Sequence, residues 1–96
     1  MHYSNHTFEL QSRNTTITQD LLNDIRHNEN IKHLIIPHHV TSIEQRAFED
    51  CSSLNTITIP DSVSEVGEFA FRGCKNLKTI HLSHNIKTIN KGTFEK

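Results

Sequence analysis

Cys51, Cys74 and eight histidines are the residues of this 96-residue chain best suited to chemistry. The histidines are His2, His6, His27, His33, His38, His39, His81 and His84. Thiolates and imidazoles are zinc ligands, but such a site needs three or four of them converging at about 2.0–2.3 Å, and two thiols alone do not close one. The same thiols form a disulfide only if their Cα atoms come within roughly 4.4–6.8 Å. Ser, His and Asp are present for nucleophilic catalysis. However, the chain has no Gly-x-Ser-x-Gly, no His-Glu-x-x-His, no Cys-x-x-Cys and no glycine-rich phosphate loop. No catalytic residue is assigned and no cofactor is implied.

Which of these residues meet depends on the elements that carry them, and those elements repeat. Leu34 to Thr56 aligns without a gap on Ile57 to Thr79, with identical residues at Ile36/Ile59, Pro37/Pro60, Val40/Val63, Ala47/Ala70, Phe48/Phe71, Cys51/Cys74, Leu54/Leu77 and Thr56/Thr79. A third unit continues the columns through Ile80, Leu82, Ile86, Ile89 and Phe94. A fixed period of this size is the signature of a solenoid, in which each unit buries its apolar face against its neighbours. In that register Cys51 and Cys74 lie one rung apart, about 4.8 Å along the axis, a spacing compatible with a bridge. His38, His39, Asp61 and His84 fall along one turn edge and are the best metal candidate, but turn residues on an edge are exposed and loosely held. No metal is assigned.

Within each unit, Thr56-Ile-Thr-Ile-Pro60 alternates, so Ile57 and Ile59 face the stack and Thr56 and Thr58 face out. Pro60 ends that strand because it has no N–H to donate. Val63 and Val66 mark a second extended piece. Gly67 and Asn90 share a column that tolerates positive φ, with Glu44 as its odd member. Phe69 to Gly73 reads as a short helical turn in which Phe71 plugs the core and Gly73 caps the end. The first 33 residues fit the repeat poorly. Phe8 and Leu10 alternate as in a strand. Thr16 or Thr18 would then cap an amphipathic helix presenting Leu21, Leu22 and Ile25, with Gln19 at capping-box spacing from Thr16. Residues 1–33 therefore read as an N-terminal cap, and 34–96 as about two and a half repeats of 23 residues.

The pattern Ile-x-Ile-Pro-x-x-Val-x-x-Ile/Val-x-x-x-Ala-Phe-x-x-Cys-x-x-Leu resembles the leucine-rich repeat of the BspA type. Ser83 stands where the third unit would have proline, and Thr93 where it would have alanine. The resemblance implies an α/β solenoid, a short right-handed leucine-rich superhelix with a strand-helix cap. It also implies that the cysteines are free, buried thiols acting as small apolar residues. Relatives of this kind include bacterial surface adhesins and host-directed proteins of pathogens and parasites, so host contact is an implied context.

Net charge is -1, Trp is absent and the apolar fraction is 33%. These values argue against a nucleic-acid surface and against large aromatic platforms. Acidic residues gather between 41 and 71, basic ones between 72 and 96. No apolar run reaches 18 residues, so no membrane span is expected. The N-terminus lacks a secretory signal, so the protein is expected to be cytoplasmic or exported without a cleavable N-terminal leader.

A protein-binding module follows as the functional expectation, another protein being the partner. Its face is the outward strand ladders His33/Thr56/Thr79 and Ile35/Thr58/His81. The rival is a structural or self-assembling unit, or the capped start of a longer array. The chain halts within its third repeat, which would leave Ile80, Leu82, Ile86, Ile89 and Phe94 on an open rung apt for homo-oligomer contact.

Overall fold

The computed structural model describes residues 7–10, 12–23, 25–26, 28–86 and 92–93. The expectations for Ile89, Asn90 and Phe94 lie outside those residues. Polar–apolar alternation produces strands of two or three residues: β1 Thr7–Glu9, β2 Thr16–Ile17, β3 His33–Ile35, β4 Ser42–Ile43, β5 Thr56–Thr58, β6 Glu65–Val66 and β7 Thr79–His81. One parallel sheet has the order β1-β3-β5-β7 and a second has β2-β4-β6. Together they build a β-solenoid of about three coils.

The register is the one read from the repeat. His33 pairs with Thr56 and Thr56 with Thr79, and likewise Ile35 with Thr58 and Thr58 with His81. Prolines follow β3 and β5 and help to end them. Pro37 and Pro60 lend only their carbonyls, which accept from the N–H groups of Val40 and Val63. Ser83 does this job differently. Its buried hydroxyl donates to the Val63 carbonyl at 2.7 Å and accepts from the Asn85 N–H at 3.0 Å, closing an equivalent turn without proline.

A third face consists of turns rather than helix. The N–H groups of Arg46, Phe48 and Asp50 reach across to the carbonyls of Glu68, Ala70 and Arg72, whereas those of Ala47, Glu49 and Cys51 bond locally to Glu44, Arg46 and Phe48. Donors thus alternate between the next coil and the preceding turn. The short helix expected over Phe69 to Gly73 cannot form, because Phe69 and Gly73 have φ of 56° and 77°. Arg46 and Asp50, one coil earlier, have φ of 60° and 61°. Gly67 is absent from this set, contrary to the positive φ expected there. A Cβ on Gly67 would lie 2.6 Å from Gln45 Cα and 2.8 Å from the Glu44 carbonyl carbon, so glycine is required for close approach between coils.

The N-terminal segment departs furthest from expectation. Thr16 caps no helix; it pairs with Ser42 in β2, and their hydroxyls hydrogen bond at 2.9 Å. Asp20–Leu22 is a single 3-10 turn, the only helical element among the described residues. The Thr18 hydroxyl accepts from the Leu21 N–H there at 3.4 Å. Thr7 pairs with His33 and Thr16 with Ser42, both 26 positions apart, so this segment is a coil of its own with three extra residues between Ile17 and His33.

Inside, Leu34 and Ile57, Ile36 and Ile59, Val40 and Val63, Ala47 and Ala70, and Phe48 and Phe71 are all buried. The two Phe rings stack with centroids 5.1 Å apart and planes at 12°. Phe71→Ala should cost about 3–5 kcal/mol, read as a large loss of melting temperature. A shift of a degree or two would place Phe71 outside the core. Gly67→Val should destabilise by roughly 1–3 kcal/mol through its clash with Gln45, in the same melting experiment.

Candidate functional site

The outward face of β1-β3-β5-β7 carries two ladders, Thr7/His33/Thr56/Thr79 and Glu9/Ile35/Thr58/His81. Strand alternation puts them there, because Phe8, Leu34, Ile57 and Ile80 occupy the positions between and turn inward. All six residues singled out from sequence stand on this face. Thr7 and Glu9 extend both ladders, and were missed because the N-terminal coil is out of phase with the 23-residue repeat. At about 4.8 Å per strand the face measures roughly 14 Å between its outer strands. Ile35 is its one exposed large apolar side chain, 36% accessible and flanked by Glu9 and Thr58.

The last described coil is covered less than those before it. Ile57 and Ile59 are buried, while Ile80 below Ile57 is half-buried and Leu82 below Ile59 is 42% exposed. Leu77 and Ile86 are half-buried in columns where Leu54 and Val63 are buried. Ile80, Leu82 and Ile86 therefore form one apolar row. Ile89 and Phe94, expected beside them, lie outside the described residues.

The turn face holds charges that the sequence reading did not combine. Arg26, Glu49 and Arg72 stand one above another at 23-residue spacing. Arg26 donates to the carbonyl oxygens of Glu49, Ala47 and Gln19. Glu49 pairs with Arg46 at 2.9 Å and Arg72 at 3.7 Å. The guanidiniums of Arg46 and Arg72 lie 4.6 Å and 5.6 Å from the Phe69 ring centroid. The residues are partly exposed, so the pairs contribute little each. Their signal was the period itself, applied to charged columns as well as apolar ones.

The histidine edge is put to a different use. Asp61 accepts from the His84 N–H at 3.0 Å, and its carbonyl from the Asn85 amide, so its side chain and backbone hold the turn of the next coil. Among the described residues no three His, Cys, Asp or Glu side chains converge as a metal site.

Cys51 and Cys74 are free thiols, Cys51 buried and Cys74 half-buried. They form a short relay. Cys51 donates to Cys74, and the Cys74 thiol donates to the Phe48 carbonyl at 3.0 Å. The hydrogen bond to Cys74, reinforced by burial, pushes the Cys51 thiol far above its ordinary value. Cys74 is pulled down by the hydrogen bond it accepts from Cys51, against the opposing effect of burial.

A family model described as BspA type leucine rich repeat region (6 copies) matches residues 23–96. The chain belongs to this family. No curated protein and no solved structure matches it. The BspA-type match starts within the first coil, before β3, in keeping with a solenoid that begins ahead of the clear repeats. Leucine-rich repeats of this family point to a protein-interaction or scaffold role, and such domains are generally not enzymes. No helix among the described residues is long and apolar enough to cross a membrane.

The thiol asymmetry has a direct readout. In folded protein Cys74 should be alkylated by iodoacetamide well before Cys51, and its rate should rise at a lower pH than that of an ordinary thiol. Peptide mapping after timed quenching checks both. Equal labelling of the two cysteines would contradict the relay.

Proposed function

We propose that this protein is a non-enzymatic binding module that recognises another protein through the outward face of β1-β3-β5-β7. The observation that carries the reading is Ile35, an exposed apolar side chain set among Thr56, Thr58, His33, His81, Thr79 and Glu9 on one face of a parallel sheet. A single apolar anchor ringed by groups able to hydrogen bond is the usual composition of a small interface centre. The complementary partner surface is an apolar pocket bordered by polar groups. Residues 1–33 act in this reading as a cap that itself supplies the first strand of the face, and 34–96 as the repeats that display the rest. A host protein, the context implied by the family resemblance, is the first partner class to present.

A photoreactive residue placed at Thr58 should crosslink to a partner protein in the source cells, while the same group at exposed Glu65, on the other sheet, should not. Ile35→Asp should abolish the Thr58 crosslink without lowering the melting temperature. Crosslinking at Glu65 equal to that at Thr58, or survival of the crosslink in Ile35→Asp, would remove the face from consideration.

A second reading, self-assembly, is favoured by the row formed by Ile80, Leu82 and Ile86. Stacking this row against a second copy would cover the columns that are buried in the earlier coils. Leu82→Glu should then reduce the mass seen by sedimentation at high concentration. A wild-type monomer at every concentration would exclude this reading.

A further inference from the structure

The thiol pair is an unassigned feature with reactive chemistry of its own. Cys51 and Cys74 occupy the same column of adjacent coils, in a stack whose neighbouring Phe48 and Phe71 rings are 5.1 Å apart. Coil spacing of about 4.8 Å lies inside the Cα window of an unstrained disulfide, roughly 4.4–6.8 Å. Both cysteines converge on one oxygen, the Phe48 carbonyl, which accepts from the Cys74 thiol and from the Cys51 N–H. Removing their protons strands no acceptor. The Phe48 carbonyl loses its bond from the Cys74 thiol but keeps the one from the Cys51 N–H at 3.2 Å. Cys74 is the more accessible of the two, because Cys51 is 1% accessible and Cys74 is half-buried.

We propose that Cys51 and Cys74 form a reversible dithiol modification site, in which a small disulfide such as glutathione disulfide converts the pair to a bridge between neighbouring coils. Exposure sets the order of events. The Cys74 thiolate attacks glutathione disulfide; its S–S bond breaks, a Cys74–glutathione S–S bond forms and one glutathione thiolate leaves. Cys51 then attacks the Cys74 sulfur, forming the protein disulfide and expelling the second glutathione thiolate, which takes up the Cys51 proton. Two protein thiols are oxidised, one glutathione disulfide is reduced to two molecules of glutathione, and the protons end on those. The depressed value of Cys74 favours the first step. The second has an unfavourable proton to remove from Cys51, offset by attack within one molecule between neighbouring groups.

The test incubates the folded wild-type protein with excess glutathione disulfide and follows intact mass and peptide maps without reductant. The expected product has lost two hydrogens, joins the peptides containing Cys51 and Cys74, and reverts with dithiothreitol. Its melting temperature should rise by on the order of 10 °C, because the bridge closes a loop of one repeat. Cys51→Ala should halt at a glutathione adduct on Cys74, and Cys74→Ala should stay unmodified until unfolded. Wild-type protein that halts at the adduct, forms only intermolecular disulfides or does not react while folded would overturn the proposal. Should either variant fail to fold, the wild-type mass, map and reversal decide the matter alone.

Discussion

The structure depends on one constraint: the backbone N–H groups of each coil must find carbonyls in the coils on either side of it, in a fixed register. Strands of two or three residues are too short to hold a sheet by themselves. Here Thr56 and Asn55 share the Lys32 carbonyl, Ile36 reaches Thr58, Ile59 reaches His81, and the turn face adds the bonds from Phe48 to Ala70 and Phe71 to Thr93. These bonds fix the register, and the register fixes which side chains stack. Apolar columns become a continuous core, the cysteines become neighbours, and the outward strand positions become ladders.

The same constraint explains where the chain accepts local cost. Arg46, Asp50 and Phe69 take a left-handed backbone that disfavours side chains by roughly 1–2 kcal/mol each. That conformation lets alternate N–H groups point out of the turn toward the neighbouring coil. Inter-coil bonding offsets the cost, and at Phe69 so does the contact of two guanidiniums with its ring. Gly73, in the column of Asp50, avoids the cost altogether.

Much of the fold was legible in the sequence because the core columns stay apolar, and many stay identical, from one repeat to the next. Leu34 over Ile57 and Phe48 over Phe71 could be stacked from spacing alone, and the ladders of the outward face came with them. The N-terminal coil was not legible. Its spacing of 26 hides it from a search at 23, and Leu21, Leu22 and Ile25 satisfy a tight 3-10 turn as readily as an amphipathic helix. Nor were the left-handed turns legible, because glycine marks that conformation only at Gly73 and Gly92. The glycine most visible in sequence, Gly67, is there for space between backbones. Of the candidate site, placement was readable and reactivity was not. Which cysteine is exposed depends on how fully the coil beyond it is covered.

Pairing at a constant offset also bears on how the molecule can change in length. Beyond the first coil, each closes a loop of the same size, so the entropy lost on adding one does not depend on how many already stand. The solenoid behaves as a one-dimensional crystal with a single nucleation cost, and each added layer meets an identical growth face. Duplicating or excising one whole 23-residue segment leaves every remaining bond with a partner of the same kind. An insertion of any other length must be absorbed within one turn, as the three extra residues of the first coil are, where they swell the loop between Ile17 and His33 and leave both sheets in step.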